Sequence, residues 1–136
     1  MIEHEYKFRV AYPDTDKMGS MHHAHYVKYY ELARWELFRS LGVSYHSMEA
    51  FGVMCPVVNM SFKFLKPTSY DELLTVKTRL TNLKGVRMSF QYMLYNEQGD
   101  LINEAQTDLA FVRVGTWKPC LAPDFLLEAI KKRQRL

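Results

Sequence analysis

Apolar residues recur at every second position over several stretches of the chain and at helical spacing over one. Tyr6, Phe8 and Val10 alternate with Lys7 and Arg9, which predicts a first strand over roughly Tyr6 to Tyr12. The turn formers of Pro13-Asp14-Thr15-Asp16-Lys17-Met18-Gly19-Ser20 end it. From about His23 to Leu41, Tyr26, Tyr30, Ala33, Leu37 and Leu41 share one helical face, with Lys28, Glu31 and Arg39 opposite. Gly42 stands where a helix closes in left-handed backbone. Leu32 and Trp35 fall on the polar side about one turn apart and point to a subunit contact. A second, short helix is read over Tyr45 to Phe51.

Four strand patterns follow. Val58, Met60, Phe62 and Phe64 alternate with Asn59, Ser61 and Lys63. Leu74, Val76, Thr78 and Leu80 alternate with Thr75, Lys77 and Arg79, and Val86 to Leu94 repeats the pattern. A last strand, roughly Asn103 to Val114, is anchored by Leu109 and Phe111. Alternation of this kind means one covered face and one polar face, as in antiparallel sheets. The short links Pro67–Asp71, Asn82–Gly85 and Asn96–Asp100 suit hairpins, because parallel strands need long crossovers. Pro119 and Pro123 interrupt the chain before a terminal helix from Phe125 to about Arg133. One sheet and one long helix must cover each other, so the sheet is expected to curl around the helix. Its open edges predict an oligomer.

Composition narrows the class. At 136 residues, 48% hydrophobic and 24% charged, the chain reads as a single soluble domain, 1–136, and not as a disordered segment. No apolar run approaches a membrane span. The acidic start Met1-Ile2-Glu3-His4-Glu5 lacks the pattern of a secretory signal, and two cysteines, Cys55 and Cys120, make no disulfide framework. Together these lead to an expected cytoplasmic location. A net charge of +3 with dispersed basic residues does not imply nucleic acid. The basic run Lys131, Lys132, Arg133 and Arg135 reads as a solvated helix end.

Candidate chemistry concentrates between the first strand and the long helix. Asp14, Asp16, His22, His23 and His25 lie within a dozen residues there. Three readings compete. The aspartates are turn formers and the histidines are solvated. The histidines and an aspartate hold a metal, although His22 and His23 point apart on a helix. Or one aspartate is a base or nucleophile beside free helix N–H groups that polarise a carbonyl, an arrangement suited to thioester cleavage.

The segments Tyr12-x-Asp14-Thr15-Asp16-x-x-Gly19, His23-Ala24-x-Tyr26 and Tyr30-Glu31-x-Ala33-Arg34 closely resemble the 4-hydroxybenzoyl-CoA thioesterase family, above all its small bacterial acyl-CoA thioesterases associated with the Tol–Pal system. The likeness extends to Ala105-x-Thr107 and Lys118-Pro119. It implies an α+β hotdog fold, a five-stranded antiparallel sheet wrapped around a long central helix. It also implies homodimers or homotetramers with the site at a subunit interface. In the family pattern the position of Asp16 is the catalytic carboxylate, and the backbone N–H at the position of His23 polarises the thioester carbonyl. Gly19 and Tyr26 belong to the same motif and are expected at the substrate. Asp14 is expected to shape the turn. Relatives carry Asn at the position of His25, so His25 is expected to be structural, and His22 to face solvent.

Met60, with Met54, Val57, Tyr26 and Tyr30, is a candidate wall of the acyl pocket. Lys84 and Arg87, flanking Gly85, fall near where the family places contacts to coenzyme A phosphates. The expected substrate is an acyl-CoA, or the same acyl group on acyl carrier protein. Coenzyme A is part of that substrate, and neither a metal nor another cofactor is expected. A hotdog hydroxyacyl dehydratase and a non-catalytic acyl-CoA or carrier-protein binding scaffold are the alternatives.

Overall fold

The strand and helix periods found in the sequence assemble around one face. The computed structural model describes residues 2–16 and 18–135. Met1, Leu136 and Lys17, the last within the turn read from Pro13 to Ser20, lie outside them. The strands are β1 (Glu3–Arg9), β2 (Val53–Met54), β3 (Val57–Phe64), β4 (Leu73–Lys84), β5 (Arg87–Tyr95), β6 (Leu101–Ala110) and β7 (Val112–Arg113). The helices are α1 (His23–Ser40), α2 (Tyr45–Phe51) and α3 (Asp124–Gln134). Five strands form one sheet in the order β1-β4-β5-β6-β3, and every neighbouring pair is antiparallel. The hotdog arrangement implied by the sequence motifs is thus present.

Helix α1 buries Tyr26, Tyr29, Tyr30, Ala33, Arg34, Leu37 and Phe38. It meets the sheet through aromatic pairs: Tyr29 stacks on Phe8 at 4.1 Å, Tyr30 lies 4.7 Å from Tyr92, and Phe38 meets Phe90 edge-on at 5.7 Å. Such pairs add about 0.5–1.5 kcal/mol each beyond the area they bury. The helix closes as the glycine implied. Gly42 has φ +83°, its N–H reaches Arg39 O, and the N–H of Val43 reaches Phe38 O. Trp35 departs from the expectation of an exposed contact. It is half-buried, covered by Tyr45 of α2 at 5.2 Å and packed against Phe38. Leu32 stays exposed. At the chain's end, Arg133 is more than a solvated cation, since it donates to the Ser40 carbonyl at 2.6 Å and ties α3 to the end of α1.

Four further differences have clear causes. Strand β1 begins three residues earlier than expected because Glu3 and Glu5 pair with Arg79 and Lys77 across the sheet. It stops before Tyr12, where Tyr12–Asp14 tighten into a single 3-10 turn around Pro13. The Pro67–Asp71 link is not a hairpin. β3 pairs with β6 at the far edge, so the link crosses over the end of the sheet to reach β4. The last expected strand is two, β6 and β7, broken at Phe111, whose N–H bonds to Val86 O and whose carbonyl accepts from Cys120. β7 pairs with β2 in a small separate sheet.

Strand β3 holds the most consequential difference. Its alternating apolar positions predict a covered face, yet Val58 is 47% exposed, Met60 37% and Phe64 44%. As an edge strand it lies only partly under α1. Among the described residues no helix is long and apolar enough to cross a membrane.

Candidate active site

The loop from Tyr12 to His22 is built on two aspartates with opposite environments. Asp14 is buried. Its carboxylate accepts from Lys28 Nζ at 2.6 Å and from the Tyr29 hydroxyl, and His25 Nδ1 lies 3.2 Å away. Its backbone carbonyl accepts from the His22 N–H at 3.0 Å. Burial pushes the Asp14 carboxyl up, but the hydrogen bonds from Lys28 and Tyr29 and the nearby positive charges outweigh it and hold it below its ordinary value. The Tyr29 phenol is pushed up to about 12 by burial and by its bond to Asp14, so it remains a donor. This cluster fastens the loop to α1.

Asp16 is exposed. Its Oδ1 accepts from the N–H of Met18 at 2.8 Å and of Ser20 at 3.2 Å, while its backbone oxygen accepts from Gly19. Gly19 adopts φ +83°, which closes this turn without the strain a side chain would bring. Oδ2 accepts no hydrogen bond from the described residues, so one oxygen is fixed and the other is available.

His22 is the N-cap of α1, and its Nδ1 accepts from the Ala24 N–H at 3.2 Å. It is exposed as expected. The capping role was not visible in its residue type, since Ser, Thr, Asp and Asn are the usual caps. The His25 N–H is satisfied by the His22 carbonyl. The N–H of His23, the first helical residue, has no intrahelical acceptor. The His23 ring stacks on Phe64 at 4.3 Å, and Tyr26 meets the same ring edge-on at 5.2 Å. Burial, and then the charge of Glu72, push the Tyr26 phenol up.

Asp16, His23 and Tyr26 line one cavity of about 420 Å³ between the start of α1 and the β3–β4 crossover. The crossover supplies Leu65, Lys66 and Pro67, and β3 supplies Phe64. It is clipped to the site loop by the Ser20–Ser69 bridge and by the Met21 N–H on Thr68 O at 2.7 Å. Asp16, with an unbonded carboxylate oxygen, and His23, with a free helix N–H, line one concave surface, and these are parts that acyl transfer uses.

Residues 10–130 match the thioesterase-like superfamily. The chain belongs to that superfamily. An Escherichia coli O157:H7 protein named acyl-CoA thioester hydrolase YbgC is 32% identical over 124 residues, spanning 91% of this chain and 92% of its own. A 1,4-dihydroxy-2-naphthoyl-CoA hydrolase of Thermosynechococcus vestitus is 30% identical over 104 residues, spanning 76% of this chain and 71% of its own. The crystal structure of a DHNA-CoA thioesterase from Staphylococcus aureus superposes with a TM-score of 0.91 at 33% identity, covering 100% of this chain and 93% of that one. Its enzyme class is accordingly thioester hydrolase.

Other expected site residues of this thioesterase-like chain lie outside the cavity. Gly19 shapes the loop but does not line the cavity. Met60 lines a second cavity of about 250 Å³ between α1 and β3, shared with Val27, Tyr30, Val57 and Phe62. Lys84 and Arg87 face each other at the β4–β5 hairpin. Phe64, at the first cavity, lies opposite Asn103, and Asn103 opposite Leu94. Leu94 is seven residues from Arg87, so the hairpin sits about 23 Å along the sheet from the Asp16 cavity. Among the described residues no group of three or more His, Cys, Asp or Glu is placed to hold a metal ion. Phe64, Lys66 and Pro67 are not among the expected cavity walls, because Phe64 reaches the helix start only at the end of β3, and Lys66 and Pro67 only through the crossover.

Proposed function

We propose that this chain hydrolyses acyl-coenzyme A thioesters to the free acid and coenzyme A, with Asp16 supplying the attack. The observation that carries the reading is the shared cavity of Asp16 and the first turn of α1. Asp16 Oδ2 attacks the thioester carbon or takes a proton from water that attacks it. The carbonyl oxygen becomes an oxyanion held by the His23 N–H and the positive end of the helix. The C–S bond then breaks and coenzyme A leaves as thiolate, to be protonated by solvent. In the nucleophile route, water hydrolyses the resulting anhydride and restores Asp16. No metal or redox cofactor enters these steps. A carrier-protein thioester has the same reacting bond.

The finer assignment, to the 4-hydroxybenzoyl-CoA and Tol–Pal-associated type, is supported by the Asp-x-Asp-x-x-Gly and His-Ala-x-Tyr segments. The working unit is a homodimer or homotetramer. The open apolar side of edge strand β3 supports this, and a second copy is the route by which a Lys84–Arg87 hairpin could reach a coenzyme A phosphate at this cavity. Two free cysteines fit a reducing compartment such as the cytoplasm. Sedimentation equilibrium should give at least twice the chain mass, and a monomer at micromolar concentration refutes the assembly.

The decisive assay is free-thiol release from a panel of aliphatic and aromatic acyl-CoAs. Release from at least one member is expected. Tight acyl-CoA binding without thiol release across the panel overturns hydrolysis and leaves the binding-scaffold reading.

A further inference from the structure

Arg34 is an arginine in the covered stripe of α1, and only 4% of it is exposed. Its Nη1 donates to the Tyr92 hydroxyl at 3.1 Å, and Tyr92 in turn shares a hydrogen bond with Thr107 at 2.8 Å. Its Nε is buried with no partner. No Asp or Glu of the described residues lies within ion-pair distance of it. Glu31, one turn earlier, is exposed and makes no ion pair with it. The neighbouring Cys55 thiol is pushed up to about 12, chiefly by burial, and offers no negative charge. A guanidinium has five donors and cannot shed its charge, so burying it without an anion is costly.

Arg34 lines the second cavity, with apolar walls from Val27, Tyr30, Val57, Met60 and Phe62 and polar ones from Thr107 and Glu31. This cavity continues the line from the Asp16 site. Phe64 belongs to the first cavity and Phe62 to the second, and the two rings stack at 6.0 Å on one face of β3. Along α1, Tyr26 and Tyr30 mark the same progression toward Arg34. Eleven residues separate His23 from Arg34, about 16 Å of helix rise, shortened by the side chain's lean toward the helix N-terminus.

We propose that this second cavity is the distal acyl subsite and that Arg34 selects an acyl group ending in a carboxylate, the monothioester of a dicarboxylic acid. This rests on the hydrolytic reading above for its substrate and deepens it. The apolar walls accept the methylene or aromatic body, and the guanidinium donates to the terminal carboxylate, whose attraction to Arg34 must outweigh the repulsion of the exposed Glu31 on the same cavity. The separation of the two ends excludes acetyl and propionyl groups. A matched apolar acyl group of the same length leaves the charge unpaired and is rejected.

The test compares suberoyl-CoA with octanoyl-CoA by thiol release, and free suberate binding by calorimetry, in wild type, Arg34→Met and Arg34→Lys. Wild type should favour suberoyl-CoA in kcat/KM by at least about 10-fold, the lower end of what a hydrogen bond to a charged group contributes. Arg34→Met should reverse that preference, lowering kcat/KM for suberoyl-CoA and raising it for octanoyl-CoA, and it should abolish suberate binding. Arg34→Lys should fall between. Equal loss on both substrates, or a smaller assembly on sedimentation, means that Arg34 pairs with a second copy and overturns the proposal. If neither variant folds, the wild-type ratio decides, and a preference for octanoyl-CoA overturns it. Arg34-dependent suberate binding without thiol release from any acyl-CoA leaves the subsite standing and refutes hydrolysis instead.

Discussion

Asp16→Asn is expected to release coenzyme A thiol about 10²–10⁴-fold more slowly than wild type, the range that a positioned base contributes. The substitution isolates the chemistry from the scaffold. An asparagine carbonyl can keep the hydrogen bonds that Asp16 Oδ1 accepts from Met18 and Ser20, so the turn and its Gly19 corner survive. What disappears is the second oxygen as nucleophile or base. The loss should therefore fall on kcat, with KM little changed. A chelator added to wild type should leave the rate as it was. Steady-state kinetics with a melting curve on the same preparation checks all of this. Unchanged kcat in a folded Asp16→Asn variant refutes the assignment.

Asp14→Ala should act first on stability. The carboxylate accepts from Lys28 and from the Tyr29 hydroxyl, and its loss leaves the buried Tyr29 hydroxyl short of its acceptor. Hydrogen bonds to charged groups contribute about 1.5–3 kcal/mol. Lys28 is partly exposed and can rehydrate, so a loss of about 2 kcal/mol is expected. The pH dependence gives a sharper signature. The Asp14 carboxyl is held below its ordinary value of 3.8, so the unfolded chain binds that proton more readily. The stabilisation is complete above that unfolded value and fades as pH falls through the lower folded one. Urea titrations from pH 7 to pH 2 should show wild type and Asp14→Ala converging on the acid side. A constant gap across that range contradicts the role. Thiol release should fall as well, because the loop that carries Asp16 loses its anchor.

The helical framework was legible because each signal had one structural meaning. Tyr26, Tyr30, Ala33 and Leu37 could share a face only on a helix, and Gly42 could close it. Strands β4 and β5 followed from alternation that the sheet does cover, as at Leu74, Val76, Met88 and Phe90. Strand β3 carries the same alternation, but a period of two does not distinguish a face covered by the chain's own helix from one left at an edge. Two-residue strands such as β2 leave no period at all. The Pro67–Asp71 turn formers fit a crossover as well as a hairpin.

The site was legible to a similar depth. Asp14 and Asp16 have identical chemistry two positions apart, and only their environments separate them, one locked among donors and one open to a cavity. The family resemblance implies Asp16 as the catalytic carboxylate and Asp14 as the turn former, whereas residue types alone leave both open. Lys66 and Pro67 had no signal, since their place at the cavity depends on how the chain crosses the sheet. Arg34 did have one. It follows Tyr30 by four residues, and a charged residue inside an otherwise covered stripe marks a position with a special partner.

The crossover clip bears on how ligand enters. Ser20 bridges Ser69, Met21 bonds to Thr68, and the Glu72 carboxylate fastens the Thr68 hydroxyl at 2.6 Å. Both lips of the mouth are sewn together before anything arrives. Capture then requires no disorder-to-order step and forfeits little conformational freedom at the entrance, so arrival rates should track diffusion and charge and not a gating motion.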